Sequence, residues 1–216
     1  MSETTSTGRA APPAPPAPPT PTPPASSGFG VADPAPLGLA GFAMTTFVLS
    51  FVNANIIKES GAVNVVLALA LFYGGTAQLL AGMWEFKRGN TFGATAFASF
   101  GAFWLSYWAL VKLTPANAGD IHQAIGLYLL AWCIFTAYMT LAALKTNLAV
   151  LGVFVLLTLT FLFLAIGAFM NDPAPDAMTK VGGWFGIVTA AVAWYASSAA
   201  VVNATHGKTV LPTWPR

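Results

Sequence analysis

The sequence predicts an all-α integral membrane protein, a bundle of six transmembrane helices, on three observations. Charged residues make up 7% of the chain and hydrophobic ones 56%. An ordinary globular domain is about 25% charged, so this chain has too little charge to cover a water-facing surface. Six apolar segments, at about 37–57, 63–84, 91–111, 121–144, 148–170 and 181–203, each have roughly the 20 residues that cross a hydrocarbon core as a helix. The breaks between them are short, which forces neighbouring helices to run antiparallel. The chain of 216 residues has no room for a second folded domain beside six spans.

Taken in order, residues 1–32 form an Ala/Pro/Ser/Thr tract with repeated Ala-Pro-Pro. It lacks the apolar side chains that would offset the entropy of folding, and the expectation is a disordered tail acting as a spacer. A six-span domain is expected over 33–206, and a short C-terminal tail over 207–216.

Span one opens with Asp33-Pro34-Ala35-Pro36-Leu37-Gly38. Asp33 suits a helix cap, Pro34 the first helical position, and Pro36 still falls in the first turn, where a missing N–H costs little. Gly38 and Gly41 leave a smooth face for close helix contact. Phe42, Thr46, Leu49 and Asn53 follow at spacings of four, three and four, so one face of the helix is partly polar. After a break at Lys58 to Gly61, span two carries Gln78 in its interior and ends at Glu85, Lys87 and Arg88. Asn90 and Thr91 are placed to cap span three. Spans four and five are separated only by Lys145-Thr146-Asn147, and span six begins with a Gly182-Gly183-Trp184-Phe185-Gly186 string whose small residues permit close packing.

Orientation follows from Lys and Arg, which accumulate in cytoplasmic loops. With the N-terminus inside, Arg9, Lys87, Arg88, Lys145, Lys208 and Arg216 are cytoplasmic, against Lys58, Lys112 and Lys180 outside. Both termini are therefore expected in the cytoplasm of a multi-pass cell-membrane protein.

Several function classes are disfavoured. The formal charge of +2 is too small and too dispersed for nucleic acid. The lone Cys133 allows no internal disulfide and no metal cluster. No nucleophile–base pair, phosphate loop or cofactor motif is visible, so neither an enzyme nor a bound cofactor is expected. Inside the spans the polar residues of interest are Thr45, Thr46, Asn53 and Gln78. Hydroxyls commonly bond their own backbone, whereas a side-chain amide is expensive to leave unpaired in lipid. Thr45, Thr46 and Asn53 beside Phe42, with Gln78, are candidates to line a polar path. Glu85 is either a bland boundary residue or part of a vestibule that handles protons or collects anions.

The opening string Asp33 to Phe42 also resembles the signature of the acetate uptake transporter family, which includes succinate–acetate permeases of bacteria. Phe72-Tyr73-Gly74-Gly75-Thr76-Ala77-Gln78, Ala81-Gly82, Glu85, Gly89 to Gly93 and Phe103-Trp104 resemble further blocks in the family's order. The resemblance covers roughly residues 33–212. It implies a homo-hexamer with a pore through each protomer that moves acetate, and succinate or other short carboxylates, with a proton. It implies a constriction at Phe42, Phe100 and Leu157, and it adds Tyr73 to the candidate path. Asp33 stands where the family usually has Asn, and Phe100 where bacterial permeases have Tyr, so a hydroxyl at the constriction is lost while its bulk is kept. The alternatives are a channel for the same anions and, from a different class, a membrane sensor or scaffold whose Pro-rich tail recruits a partner.

Overall fold

The computed structural model describes residues 30–59, 61–115, 119–170 and 176–216. The expected N-terminal tail, with Arg9, lies outside the described residues up to position 29. Among the described residues six helices are long and apolar enough to span a membrane: α1 Ala35–Asn53, α2 Ala62–Arg88, α3 Thr91–Leu113, α4 His122–Ala143, α5 Leu148–Met170 and α6 Ala177–His206.

The helix ends have local causes. α1 starts one residue later than the sequence suggests. Asp33 accepts a hydrogen bond from the Ala35 N–H at 3.1 Å, Pro34 occupies the cap position, and Asp33 also pairs with Arg88 at the far end of α2. α2 ends at Gly89, whose φ of +76° suits a residue without a Cβ. Asn90 then caps α3 by accepting from the Gly93 N–H at 3.1 Å. α6 runs beyond the expected 181–203 at both ends. Asp176 caps it by accepting from the Thr179 N–H at 2.8 Å, which draws Lys180 into the helix.

Neighbours in sequence pack as neighbours in space, and α6 returns to α1, so the six helices form a ring in chain order. Glycines bring the backbones of α2 and α3 together. A Cβ at Gly82 would lie 2.5 Å from the Ala98 nitrogen, and one at Gly101 2.6 Å from that of Leu79. This antiparallel register sets Gln78 level with the Phe100–Gly101 turn and Glu85 level with Gly93. α3 and α4 approach at few backbone points, and ring side chains from Phe100, Phe103, Tyr128 and Trp132 fill the seam.

Midway along α2, Phe72–Ala77 winds as a π-helix. The wider turn is anchored by Thr76 Oγ1 donating to the Leu71 carbonyl at 2.7 Å. Gly74 is pressed between α1 and α3: a Cβ there would lie 2.5 Å from Thr45 Oγ1 and 2.9 Å from Trp104 Cδ1.

The last residues are folded back rather than trailing. Asn203 Oδ1 accepts from the Val210 and Leu211 N–H groups at 2.7 and 2.9 Å. The Leu148 N–H reaches the Thr213 carbonyl at 3.1 Å, and the Arg216 N–H the Thr146 carbonyl at 3.0 Å. The C-terminus thus straps the α4–α5 turn.

Candidate functional site: two cavities and an aromatic barrier

Two cavities enter the ring from opposite ends and share no lining residue. The first, of about 460 Å³, has Glu85, Asn90, Lys145 and Asn147 near its mouth and Phe42, Gln78, Phe100 and Leu157 at its inner end. The second, of about 540 Å³, is lined near its mouth by Thr114, His122, Asp176 and Thr179, and deeper by Leu49, Asn53, Phe103 and Phe161.

The two inner ends nearly meet. Phe100 and Phe103 are three residues apart on α3, and Leu157 and Phe161 four apart on α5, so the barrier is about one helical turn, ~5 Å, thick. It is built of rings. Phe100 lies 5.8 Å from Phe42, 5.4 Å from Phe135 and 6.0 Å from Trp132 between centroids. Trp132 in turn lies 5.1 Å from Phe103, which meets Phe161 edge-on at 5.3 Å. Phe42, Phe100 and Leu157 are each buried to 4% exposure or less. Their closure is tight.

The sequence-predicted residues divide by position. Phe42, Phe100, Leu157, Gln78 and Glu85 come together on the first cavity, and Asn53 lines the second. Thr45, Thr46 and Tyr73 line neither. Thr45 is fully buried against Gly74 with its hydroxyl donated to the Gly41 carbonyl at 2.9 Å. Tyr73 packs its backbone carbonyl against Gly41. Thr46 is different: it falls on the α1 face between Phe42 and Leu49, buried, and its Oγ1 has no hydrogen-bonding partner. The signature residues hold the entrance of α1. Asp33 bridges to Arg88, the Pro36 carbonyl accepts from Ser197 Oγ at 2.7 Å, and Gly38 lies flat against the Phe97 ring.

Glu85, near the end of α2, is buried completely and lines the first cavity. The cause is Gly93: a Cβ there would lie 2.8 Å from the Glu85 carboxyl carbon, so only glycine lets the side chain fold onto the start of α3. Asn90 Nδ2 donates to Glu85 Oε2 at 2.9 Å, while Oε1 has no partner. Gln78 Oε1 is likewise buried without a partner. Unpaired buried acceptors on a cavity wall are costly until a ligand or water donates to them.

At the second mouth the charges are acidic. A hydrogen bond from the His122 ring holds the Asp120 carboxyl below its usual range. Burial raises the Asp176 carboxyl, but hydrogen bonds from the Thr179 N–H and hydroxyl outweigh it and the net shift is downward. Among the described residues no group of three or more His, Cys, Asp or Glu is placed to hold a metal ion.

Sequence reasoning missed three groups of contributors. Asn90 serves as the partner of Glu85 as well as a cap, and Gly93 two positions into α3 is the sign that its neighbour packs without clearance. Lys145 and Asn147, taken from sequence as a loop and, for Lys145, as an orientation signal, also line the first cavity. Phe103, Trp132 and Phe161 thicken the barrier, which scattered aromatics in an apolar chain do not announce.

Similarity to known proteins is consistent with this architecture. The succinate-acetate/proton symporter SatP of Escherichia coli K12 is 41% identical over 184 residues, covering 84% of this chain and 95% of that one. Acetate permease A of Emericella nidulans is 41% identical over 197 residues, covering 84% of this chain. This chain spans just under two thirds of that fungal relative, 65% of its length. The solved structure of the bacterial acetate channel SatP superposes with a TM-score of 0.78 at 40% identity, covering 85% of this chain and 99% of that one. The family model described as the GPR1/FUN34/yaaH family matches residues 17–215, and the chain therefore belongs to that family.

Proposed function

We propose that this protein carries acetate, and succinate or other short carboxylates, across the cell membrane together with a proton, along a path inside each protomer. The observation that carries the reading is the pair of cavities whose blind ends are separated by one turn of side chains at Phe42, Phe100 and Leu157. An anchor has no use for two opposed cavities, nor for burying Gln78 and Glu85 on their walls. The bacterial relative is named a succinate-acetate/proton symporter and the fungal one an acetate permease, which supports the substrate class.

In this reading the substrate's carboxyl group exchanges water for Gln78, Asn90 and the Thr46 hydroxyl, while its carbon chain meets the aromatic barrier. Phe100 gates by bulk alone. The termini are cytoplasmic, so the first cavity opens inward, where Lys145 draws anions to its mouth. The outward ring of apolar residues, Phe72, Leu127, Ile134 and Leu141 among them, suits lipid and the neighbouring copies of a homo-hexamer.

A channel for the same anions is the second reading, favoured by the absence of an ionisable residue among those that line the barrier. Reconstituted protein taking up labelled acetate, measured with and without an imposed pH gradient and against protein-free vesicles, tests both. Proton-driven carriage predicts a saturable rate that rises with an inward proton gradient. A saturable rate indifferent to that gradient favours the channel, and no uptake above the vesicle background contradicts transport altogether.

A further inference from the structure

We propose that Glu85 is the point at which proton and substrate meet: the carboxyl group of the bound acid pairs with the Glu85 carboxyl group, and the two hold one proton between them. The inference rests on the transport reading and deepens it.

The geometry leaves this role open. Glu85 is fully buried yet lines the first cavity, with one oxygen bonded to Asn90 and the other unpartnered. What Oε1 lacks is a donor. A carboxylate in such a site accepts strongly from a carboxylic acid O–H, whereas a second ionised carboxylate beside it would be repelled. Two carboxylates forced together titrate as a pair that keeps one proton. An acid arriving as an anion therefore enters only with a proton, and the pair carries a single negative charge whichever partner holds it. On release toward either side the substrate leaves with the proton it brought, and Glu85 returns to its starting state. The stoichiometry is one proton for each carboxyl group.

The charges around the site do not supply that proton. On its own helix Arg88 is engaged by Asp33 from the start of α1, and Lys87 follows Glu85 by two residues. From the α4–α5 turn Lys145 lines the same cavity. The residues that α3 and α5 contribute to the cavity wall are not ionisable. Each of these cations can attract an anion to the mouth. Among the described residues that line this cavity, Glu85 supplies the carboxylate acceptor. Gln78, seven residues earlier on α2 and so about 10 Å deeper on the same face, presents the next unpartnered oxygen, level with the barrier.

The test combines transport with spectroscopy. Initial rates of labelled acetate uptake, corrected for protein-free vesicles, are measured at external pH values from 5 to 8 for the unaltered protein and for Glu85→Gln. The unaltered rate should fall by up to tenfold per pH unit above its midpoint, as a one-proton step requires. Glu85→Gln, whose amide donates to an anion at any pH, should carry acetate with that dependence lost. Infrared difference spectra of the unaltered protein with and without carbon-13 acetate should reveal a protonated carboxyl band, and this reading needs no variant to fold. Unchanged pH dependence in Glu85→Gln, or no protonated carboxyl on acetate binding, overturns the inference while leaving transport standing. Absence of acetate uptake by the unaltered protein overturns the transport reading and this one with it.

Discussion

At the level of single residues, Asp33 and Asp176 do similar work at opposite sides of the bundle. Asp33 accepts from the Ala35 N–H and pairs with Arg88, both half-exposed. Exposed pairs of this kind contribute less than about 1 kcal/mol, and an amide oxygen can replace the acceptor. Asp33→Asn should therefore lower thermal stability only slightly and leave the half-saturation concentration for acetate unchanged at low and high salt. A marked, salt-sensitive fall in that concentration would instead put Asp33 against the substrate. Asp176 is buried and caps α6, so Asp176→Ala should cost about 1 kcal/mol at neutral pH. Its carboxyl is depressed in the folded protein. Its contribution is thus present above the unfolded pKa and lost as pH falls through the folded one. Detergent melts of the two proteins should converge in acid. The helix-start role of Asp33 was legible because a carboxylate before an apolar run has few other uses, whereas Asp176 precedes the expected span by several residues and gave no such sign. The sequence could not reveal the pairing of Asp33 with Arg88, 55 positions away, nor the burial of Glu85, which depends on a glycine of another helix.

At the level of elements, the six spans were readable because a helix in lipid must satisfy its backbone internally, so length and apolarity alone mark it. Their ends were less so. α6 gained its extra turns from an Asp176 cap and a Gly207 stop that lie among polar residues. The π-helix of Phe72–Ala77 was hidden, since it arises from the approach of α1 and α3 to Gly74 rather than from any local preference. Adding a methyl group there overpacks three helices, and Gly74→Ala should lose about 1–3 kcal/mol, read as a lower melting temperature of the purified protein. The residues expected as a short C-terminal tail fold back as a strap over the α4–α5 turn. Deleting residues 211–216 frees the Leu148 N–H and the Thr146 carbonyl and loosens the turn that carries Lys145. The truncated protein should expose that turn to protease sooner than the full chain, at similar helical content.

At the level of the whole molecule, a ring of six helices in chain order is entered by two cavities from opposite ends, with one turn of mostly aromatic side chains between them. The proposed orientation, with both termini cytoplasmic, rests on the Lys and Arg count, and reporter fusions at either end of the chain should both report the cytoplasm. Sequence alone indicated which residues were candidates. It could not separate Thr45 and Tyr73, which pack between helices, from Gln78 and Asn53, which line cavities, because all of them sit on apolar spans at helical spacing. Transport by this route depends on the barrier. The most direct measurement is the ratio of butyrate to acetate uptake in proteoliposomes for folded proteins carrying Ala, Leu or Trp at position 157. The ratio should rise severalfold with Leu157→Ala, and uptake of both acids should fall by at least tenfold with Leu157→Trp. Rates and ratios indifferent to the size of that side chain would contradict a path through Phe42, Phe100 and Leu157.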